Sequence, residues 1–165
     1  MLTSIVLASG NSGKLKEFSA LLAPLGLTLI PQASLNISEP PEPYSTFIEN
    51  ALTKARHASN LSGMPSIADD SGLCVRALGG APGIYSARYA QTEQGTRSDL
   101  ANNKKLVHTL QNISDRRAWY VAVLVYLTHP DDPQPLVAEA NWYGEIVDLP
   151  RGENGFGYDP HFYIP

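Results

Sequence analysis

The stretch Ser66-Ile67-Ala68-Asp69-Asp70-Ser71-Gly72-Leu73 carries the strongest indication of how this chain folds. Ile67 and Ala68 are typical of the end of a buried strand, and the Ser-Gly pair that follows predicts a tight turn. Two adjacent carboxylates at such a point repel each other unless a cation or basic side chains offset their charge. Mg²⁺ suits them because it prefers carboxylate and phosphate oxygens. The alternative is an Asx turn, in which an aspartate only caps the backbone that follows it.

A glycine-rich segment near the start of the chain predicts an anion-binding loop. The backbone N–H groups of this segment, the N-terminus of the predicted helix and a lysine all favour an anion there. The segment is not a Walker A loop, because Ala8 and Leu15 stand where that motif needs a glycine and a hydroxyl residue. A plain turn with a solvated lysine is the structural alternative. The segment comprises Ser9, Gly10, Asn11, Ser12, Gly13 and Lys14, between an apolar run at 5–8 and leucines at helical spacing.

The rest of the chain predicts an α/β domain with a mixed sheet, in which helices flank a long antiparallel hairpin. Thr46 followed by Glu49 is a capping-box signature for the second helix. Lys54 lies off the apolar stripe of that helix, so its spacing favours a solvated position. Glu39 and Glu42 in the preceding loop either face solvent or reach a metal. Further predicted elements are strands at 27–30, 66–68, 118–127 and 136–147, a helix at 99–110 and a glycine-rich loop at 79–90.

Composition limits the classes of protein to which the chain can belong. Its 165 residues, 43% of them hydrophobic and 17% charged, are enough for one domain with a substantial core. The formal net charge of −4 gives no indication of a basic face for nucleic acid. The single cysteine, Cys74, excludes an internal disulfide. Since no signal segment or membrane-spanning run is expected either, we predict a cytoplasmic protein without a membrane or nucleic-acid partner.

Six segments occur in the order that is found in one enzyme family. They are residues 8–14, Thr46-Phe47-Ile48-Glu49-Asn50-Ala51, Lys54-Ala55-Arg56, 68–73, 79–89 and Gly155-Phe156-Gly157-Tyr158-Asp159-Pro160. With them the chain resembles the inosine/xanthosine triphosphate pyrophosphatases, which act on non-standard purine nucleotides. The resemblance covers nearly the whole chain. It implies that a Mg²⁺-dependent homodimer hydrolyses dITP, ITP or XTP to the monophosphate and pyrophosphate, with the nucleotide in a cleft between two lobes.

The resemblance also implies a role for individual residues. Asp70 would be the catalytic general base and, together with Glu42, a metal ligand. Lys14 and Lys54 would contact the phosphates during catalysis, which places Lys54 in the site rather than in solvent. The substrate-binding residues that it implies are Ser9, Gly10, Asn11, Ser12, Gly13 and Lys14 for the triphosphate, Ser71, and Phe156, Gly157, Tyr158 and Asp159 for the base, with Phe156 stacking on it.

Two differences from the family pattern bear on these expectations. Tyr44 stands where the family usually has glycine, two residues after Glu42. The sequence ends at Pro165, whereas family members continue with a lysine and a Ser-His-Arg segment that helps to read the base. Residues 1–165 are therefore expected to form a single domain without that segment. A catalytically impaired nucleotide-binding protein is the alternative function, and a pyrophosphatase for pyrimidine or modified nucleotides is a third.

Overall fold

Three α-helices and six strands form the regular structure of the described part of the chain. The structure, a computed structural model, describes residues 4–91, 97–153 and 155–165. The strands are β1 (Ser4–Ala8), β2 (Thr28–Pro31), β3 (Ser66–Val75), β4 (Arg117–Leu127), β5 (Leu136–Ile146) and β6 (Phe162–Tyr163). The helices are α1 (Ser12–Leu22), α2 (Phe47–Ser62) and α3 (Asp99–Thr109), and short 3-10 helices occupy several of the connections.

The six strands belong to one mixed sheet. Their order is β2-β1-β3-β4-β5-β6. Strand β1 pairs in parallel with both β2 and β3, whereas β5 pairs antiparallel with β6. Strands β4 and β5 are neighbours joined by residues 128–135, at the place of the predicted hairpin. The mixed α/β fold expected from the sequence is therefore confirmed.

The chain divides into two compact units, and the first comprises Met1–Asp70 and Val123–Glu139. In this unit α2 packs against β1. The buried face of α2 carries Ala51, Ala55 and Ala58, each without exposed surface. Because alanine side chains are short, they allow the helix backbone to lie close to the sheet. Burial of a residue such as Leu7 of β1 contributes roughly 1.5–3 kcal/mol.

Local signals define where α2 begins and ends. The Thr46 hydroxyl oxygen accepts a hydrogen bond from the Glu49 N–H at 3.3 Å, so Thr46 is confirmed as the N-cap. The Glu49 carboxylate accepts from the Thr46 hydroxyl at 2.5 Å, so it does not form the second half of the predicted capping box through that contact. At the other end Gly63 adopts a φ of 66°, and its N–H bonds to the Ser59 carbonyl. A left-handed residue at this position favours glycine. The helix therefore has a fixed start and a fixed end, which sets the register of its buried face.

The second unit comprises Ser71–Ala122 and Ala140–Pro165. Asn102 of α3 is buried and links this helix to the 3-10 helix Gly83–Arg88. Its amide Nδ2 donates hydrogen bonds to the Ser86 and Ala87 carbonyls at 3.3 and 3.2 Å. The Asn102 Oδ1 accepts from the Ala90 N–H at 2.7 Å. The core of this unit contains Leu73, Val75, Leu106, Leu110, Ala118, Ile146 and Tyr158.

The tight turn predicted at Ser71-Gly72 is wrong. Strand β3 continues through both residues and ends only at Val75. Leu73 and Val75 are fully buried in the core of the second unit, and the Leu73 N–H donates to the Ser86 hydroxyl oxygen at 2.9 Å. Strand pairing and burial of the following residues therefore override the turn preference of the Ser-Gly pair.

Further differences concern loops and exposed apolar residues. The predicted loop at 79–90 contains the 3-10 helix Gly83–Arg88. Leu21, Ile48 and Leu100 occupy apolar positions of the helices but are 69, 43 and 65% exposed. Helical spacing thus identified the helices, but tertiary packing decided which side of each one is buried. In the described residues, no helix has both the length and the apolar character needed to cross a bilayer.

Candidate active site

Strand β3 presents two adjacent carboxylates, and each is paired with a lysine from a different helix. The Asp69 carboxylate forms an ion pair with Lys14 of α1. The Asp70 Oδ1 lies 2.8 Å from Nζ of Lys54 on α2. Successive side chains of a strand point to opposite faces, which explains how neighbours in sequence reach different helices. Because Asp70 lies within extended strand, the Asx-turn alternative is wrong.

Lys54 lies between two carboxylates. Its Nζ is 2.8 Å from Asp70 Oδ1 and 3.1 Å from Glu42 Oε1, and only 10% of its side chain is exposed. The solvated position that its spacing favours is therefore wrong, and its role in contacting phosphate stays a prediction of the resemblance. Lys54 falls three residues after Ala51 and four before Ala58, on the buried face of α2. In the sequence, the spacing of Lys54 to these two alanines is the pattern that indicates its buried position.

Burial and charge act against each other at this ion pair. Burial raises the pKa of the Asp70 carboxyl, the charge and hydrogen bond of Lys54 oppose that effect, and the net pKa lies above its ordinary value. Burial acts to lower the pKa of the Lys54 ammonium, but Asp70 and Glu42 outweigh it and the pKa is raised. A carboxylate with a raised pKa accepts a proton more readily, which is the property that a general base needs.

The predicted anion loop lies in the first unit, and one of its backbone N–H groups is hydrogen-bonded to a carboxylate of the protein itself. The Gly10 N–H donates to Glu39 Oε1 at 2.8 Å. A Cβ added at Gly10 would come within 2.7 Å of that oxygen, so a larger residue there would displace the Glu39 carboxylate. The charge of Lys14 acts on the Asp70 carboxyl as well, which brings the loop and the acidic residues into one electrostatic neighbourhood. A loop amide that holds a carboxylate oxygen is suited to hold a phosphate oxygen.

Asn11 supplies the cap of α1 within this loop. Its Oδ1 accepts from the N–H groups of Gly13 and Lys14 at 2.8 and 3.3 Å. Ser9 supports the same turn, because its hydroxyl oxygen accepts from the Asn11 N–H at 3.2 Å. Ser12 is the first residue of α1. The loop residues predicted to bind the triphosphate are thus contiguous and surround the start of the helix.

Asn50 is a residue that the sequence analysis did not single out. It is 1% exposed, and its side chain holds both polar groups of the Tyr44 backbone. Asn50 Oδ1 accepts from the Tyr44 N–H, and Asn50 Nδ2 donates to the Tyr44 carbonyl, each at 3.2 Å. The Tyr44 side chain itself is 42% exposed. Because Asn50 holds the backbone, the loop that carries Glu42 is fixed although tyrosine replaces the expected glycine.

The donor set fits Mg²⁺ better than a metal that needs a complete protein cage. Among the residues that the structure describes, no three His, Cys, Asp or Glu side chains gather as a metal site. Two carboxylates, those of Glu42 and Asp70, do converge on one point at Lys54 Nζ. Mg²⁺ is typically bound through one or two carboxylates, while water and substrate phosphates complete its shell. This pair of hard oxygen donors is of that kind.

The residues predicted to contact the base form a turn in the second unit. Phe156 is 54% exposed, whereas Tyr158 is only 4% exposed and its hydroxyl donates to the Ser86 carbonyl at 2.8 Å. Asp159 holds the turn, since Oδ2 accepts from the Phe156 N–H and Oδ1 from the Tyr120 hydroxyl, both at 3.0 Å. Within this turn only the Phe156 ring has the exposed area that stacking requires. Ser71, also in the second unit, follows Asp70 directly in β3.

A mixed α/β fold in which two carboxylates of one strand meet the lysines of two helices beside a glycine-rich loop has the groups that an enzyme acting on phosphates needs. The model of the Ham1 family matches residues 5–165, and the chain belongs to that family. A dITP/XTP pyrophosphatase from Ralstonia nicotianae is 64% identical over 161 residues, which is 98% of this chain and 80% of the relative. One from Bordetella pertussis is 63% identical, over 99% of this chain and 77% of the relative.

A solved structure shows the same fold. The HAM1 protein from Coxiella burnetii superposes with a TM-score of 0.91 at 45% sequence identity, covering 99% of this chain and 83% of that protein. The family resemblance drawn from the six sequence segments is therefore confirmed.

Proposed function

We propose that this chain is a nucleoside-triphosphate pyrophosphatase that hydrolyses the non-standard purine nucleotides dITP, ITP and XTP to the monophosphate and pyrophosphate, and so removes them from the nucleotide pool. Relatives named dITP/XTP pyrophosphatase are 58–64% identical over nearly the whole chain. They confirm the activity predicted from the sequence, and they do not favour the alternative of a catalytically impaired binding protein. The structural observation that carries the proposal is Lys54, buried between Asp70 and Glu42.

The proposed chemical step is attack of water on the α-phosphorus. Asp70 takes a proton from that water, for which the raised pKa of its carboxyl is suited. Lys54 holds the Asp70 carboxylate in place and contributes positive charge. Lys14 and the N–H groups of the loop stabilise the negative charge that develops on the departing pyrophosphate. The reaction thus breaks the bond between the α-phosphorus and the bridging oxygen, and the new oxygen stays on the monophosphate.

Mg²⁺ is the cofactor that we propose for this site. Glu42 and Asp70 would hold it, and when bound it would neutralise charge on the phosphate oxygens. The fit rests on the two carboxylates that share one cation in the structure. Asp69 is engaged with Lys14 instead.

The proposal includes a cytoplasmic homodimer. A single, buried cysteine is compatible with a reducing compartment. In the second unit strand β5 exposes Trp142 on one face and Tyr143 on the other, at 61 and 67%, which supports burial of large apolar side chains by a second copy. Sedimentation of the purified protein at micromolar concentration tests this state directly, with a monomer as the contradicting result.

A panel of nucleotides tests the function. ITP, XTP, GTP, ATP and dUTP are incubated with the protein and Mg²⁺, and pyrophosphate and orthophosphate are measured separately. We expect pyrophosphate from ITP and XTP at rates far above those for GTP and ATP. Pyrophosphate from dUTP in preference to the purines would support the third function instead, and release from no nucleotide would overturn the proposal. Asp131→Asn, an exposed change in the turn after β4, is the matched control for variants of Asp70.

A further inference from the structure

Two side chains of α3 hold the turn that carries Phe156 from both sides of Gly157. Asp99 Oδ2 accepts from the Gly157 N–H at 3.0 Å. Asn103 Nδ2 donates to the Gly157 carbonyl at 2.8 Å. Asp99 and Asn103 are four residues apart, so they lie on one face of the helix, one turn above the other. The peptide groups before and after Gly157 are therefore both fixed from the same helix face.

Gly157 itself explains why its peptide groups need to be held. Its φ is 60°, in the left-handed region, and a Cβ added there would meet nothing within 4 Å. The glycine is thus required by backbone conformation and not by lack of space. A glycine that could adopt many conformations is fixed in one by two side chains that lie more than 50 residues earlier in the sequence.

The Asn103 side chain is buried, and its amide nitrogen is directed at the Gly157 carbonyl. It is 8% exposed, and its Oδ1 has no hydrogen-bond partner among the described residues. Leaving a buried acceptor unpaired destabilises a protein. With Oδ1 unpaired, the bond from Nδ2 to the Gly157 carbonyl is the polar contact that offsets the burial of the Asn103 side chain in the described structure.

We infer that Asp99 and Asn103 are positioning residues for purine binding, because they fix the backbone directly after Phe156. The inference rests on the proposed function, with the exposed Phe156 ring stacking on the purine. Asp159 holds the Phe156 N–H and the Tyr158 hydroxyl reaches the Ser86 carbonyl, whereas α3 holds the Gly157 peptide groups between them. Neither α3 contact involves Asp70, Lys14 or Lys54, so their loss is expected to weaken binding without slowing the chemical step.

The test compares two changes from an amide to an acid on or beside the same helix. Asn103→Asp keeps the shape of the side chain but replaces the donor to Gly157 with an acceptor. We expect KM for dITP to rise about tenfold, with kcat largely kept. Gln111→Glu, an exposed change just after α3, is the matched control, and its KM is expected to be unchanged.

Variants of Asp99 keep the inference testable where Asn103→Asp does not fold. Asp99 is exposed, so Asp99→Ala is expected to fold and to raise the same KM, whereas Asp99→Asn retains an acceptor and keeps a KM close to that of the wild type. An active wild type combined with an unchanged KM for dITP in Asn103→Asp, or in Asp99→Ala where Asn103→Asp is unfolded, overturns the inference alone. A wild type that releases no pyrophosphate from any purine triphosphate is instead a failure of the proposed function.

Discussion

Lys54 Nζ lies 2.8 Å from Asp70 Oδ1, and this contact joins the buried face of α2 to the middle of β3. Both side chains are almost fully buried, so the pair is isolated from solvent on all but a small part of its surface. Since Lys54 also contacts Glu42, one cation orders two carboxylates that would otherwise repel each other.

Replacing Asp70 by asparagine is expected to separate binding from turnover. The amide retains the size of the side chain but cannot accept the proton from water. We expect kcat to fall by about 10²–10⁴-fold, with nucleotide affinity largely kept. Single-turnover rates and titration calorimetry with ITP measure the two quantities. Full activity of Asp70→Asn beside an equally active Asp131→Asn control would remove Asp70 from the role of general base.

Replacing Lys54 by methionine is expected to destabilise the fold. The change leaves the Asp70 and Glu42 carboxylates close together without their cation, in a largely buried place. Breaking a buried pair by removing one partner costs about 3–5 kcal/mol. Denaturant unfolding measures this loss, and the double variant Lys54→Met with Asp70→Asn is expected to regain part of it. A Lys54→Met protein as stable as the wild type would show that the pair is not needed for folding.

Replacing Glu39 by glutamine is expected to strengthen triphosphate binding. The Glu39 carboxylate occupies the Gly10 N–H that a phosphate oxygen would use, and its charge repels the substrate. Removing the charge is expected to lower KM about three- to tenfold, which is the scale of one weak charge interaction. Glu17→Gln on the exposed side of α1 makes the same charge change as a control. An increased KM in Glu39→Gln would instead mean that this carboxylate assists binding.

The Asp132 carboxyl makes the folding stability of the protein depend on pH in the acidic range. Hydrogen bonds from the Thr128 side chain and backbone, and from the Gln134 N–H, hold the pKa of Asp132 at about 2, below its ordinary value of 3.8. A carboxyl with a lowered folded-state pKa stabilises the protein above its unfolded pKa, and this contribution is lost as the pH falls towards 2. Asp132→Asn is therefore expected to be less stable at neutral pH and to lose less stability between about pH 5 and pH 2.5. Chemical denaturation across that range measures the difference, and parallel pH profiles for the two proteins would contradict the assignment.

Local signals made the start of each major element predictable from the sequence. Thr46 marks the beginning of α2 because an N-cap hydroxyl satisfies a backbone N–H within the first turn. The apolar run at 5–8 followed by glycines and Lys14 likewise predicts strand, loop and helix correctly. These features depend on neighbours in the chain, which a sequence displays.

The features that could not be predicted from the sequence depend on contacts between residues far apart in the chain. The hydrogen bond between Gly10 and Glu39 joins residues 29 positions apart, and no local sequence pattern predicts it. The continuation of β3 through Ser71 and Gly72 depends on burial of the residues after them, which overrides a local turn preference. Lys54 lies on a buried face because alanines flank it at helical spacing, and that pattern is weaker than an apolar stripe. The resemblance moved Lys54 out of solvent because it carries information about the whole fold, and the buried position of Lys54 agrees with that.

Hydrolysis of dITP in oxygen-18-labelled water, with Mg²⁺ present, tests the central claim that this protein directs water to the α-phosphorus. Mass spectrometry of the products locates the label. One labelled oxygen in the monophosphate and none in the pyrophosphate is the predicted result. Label in the pyrophosphate, or labelled orthophosphate as the product, would contradict it.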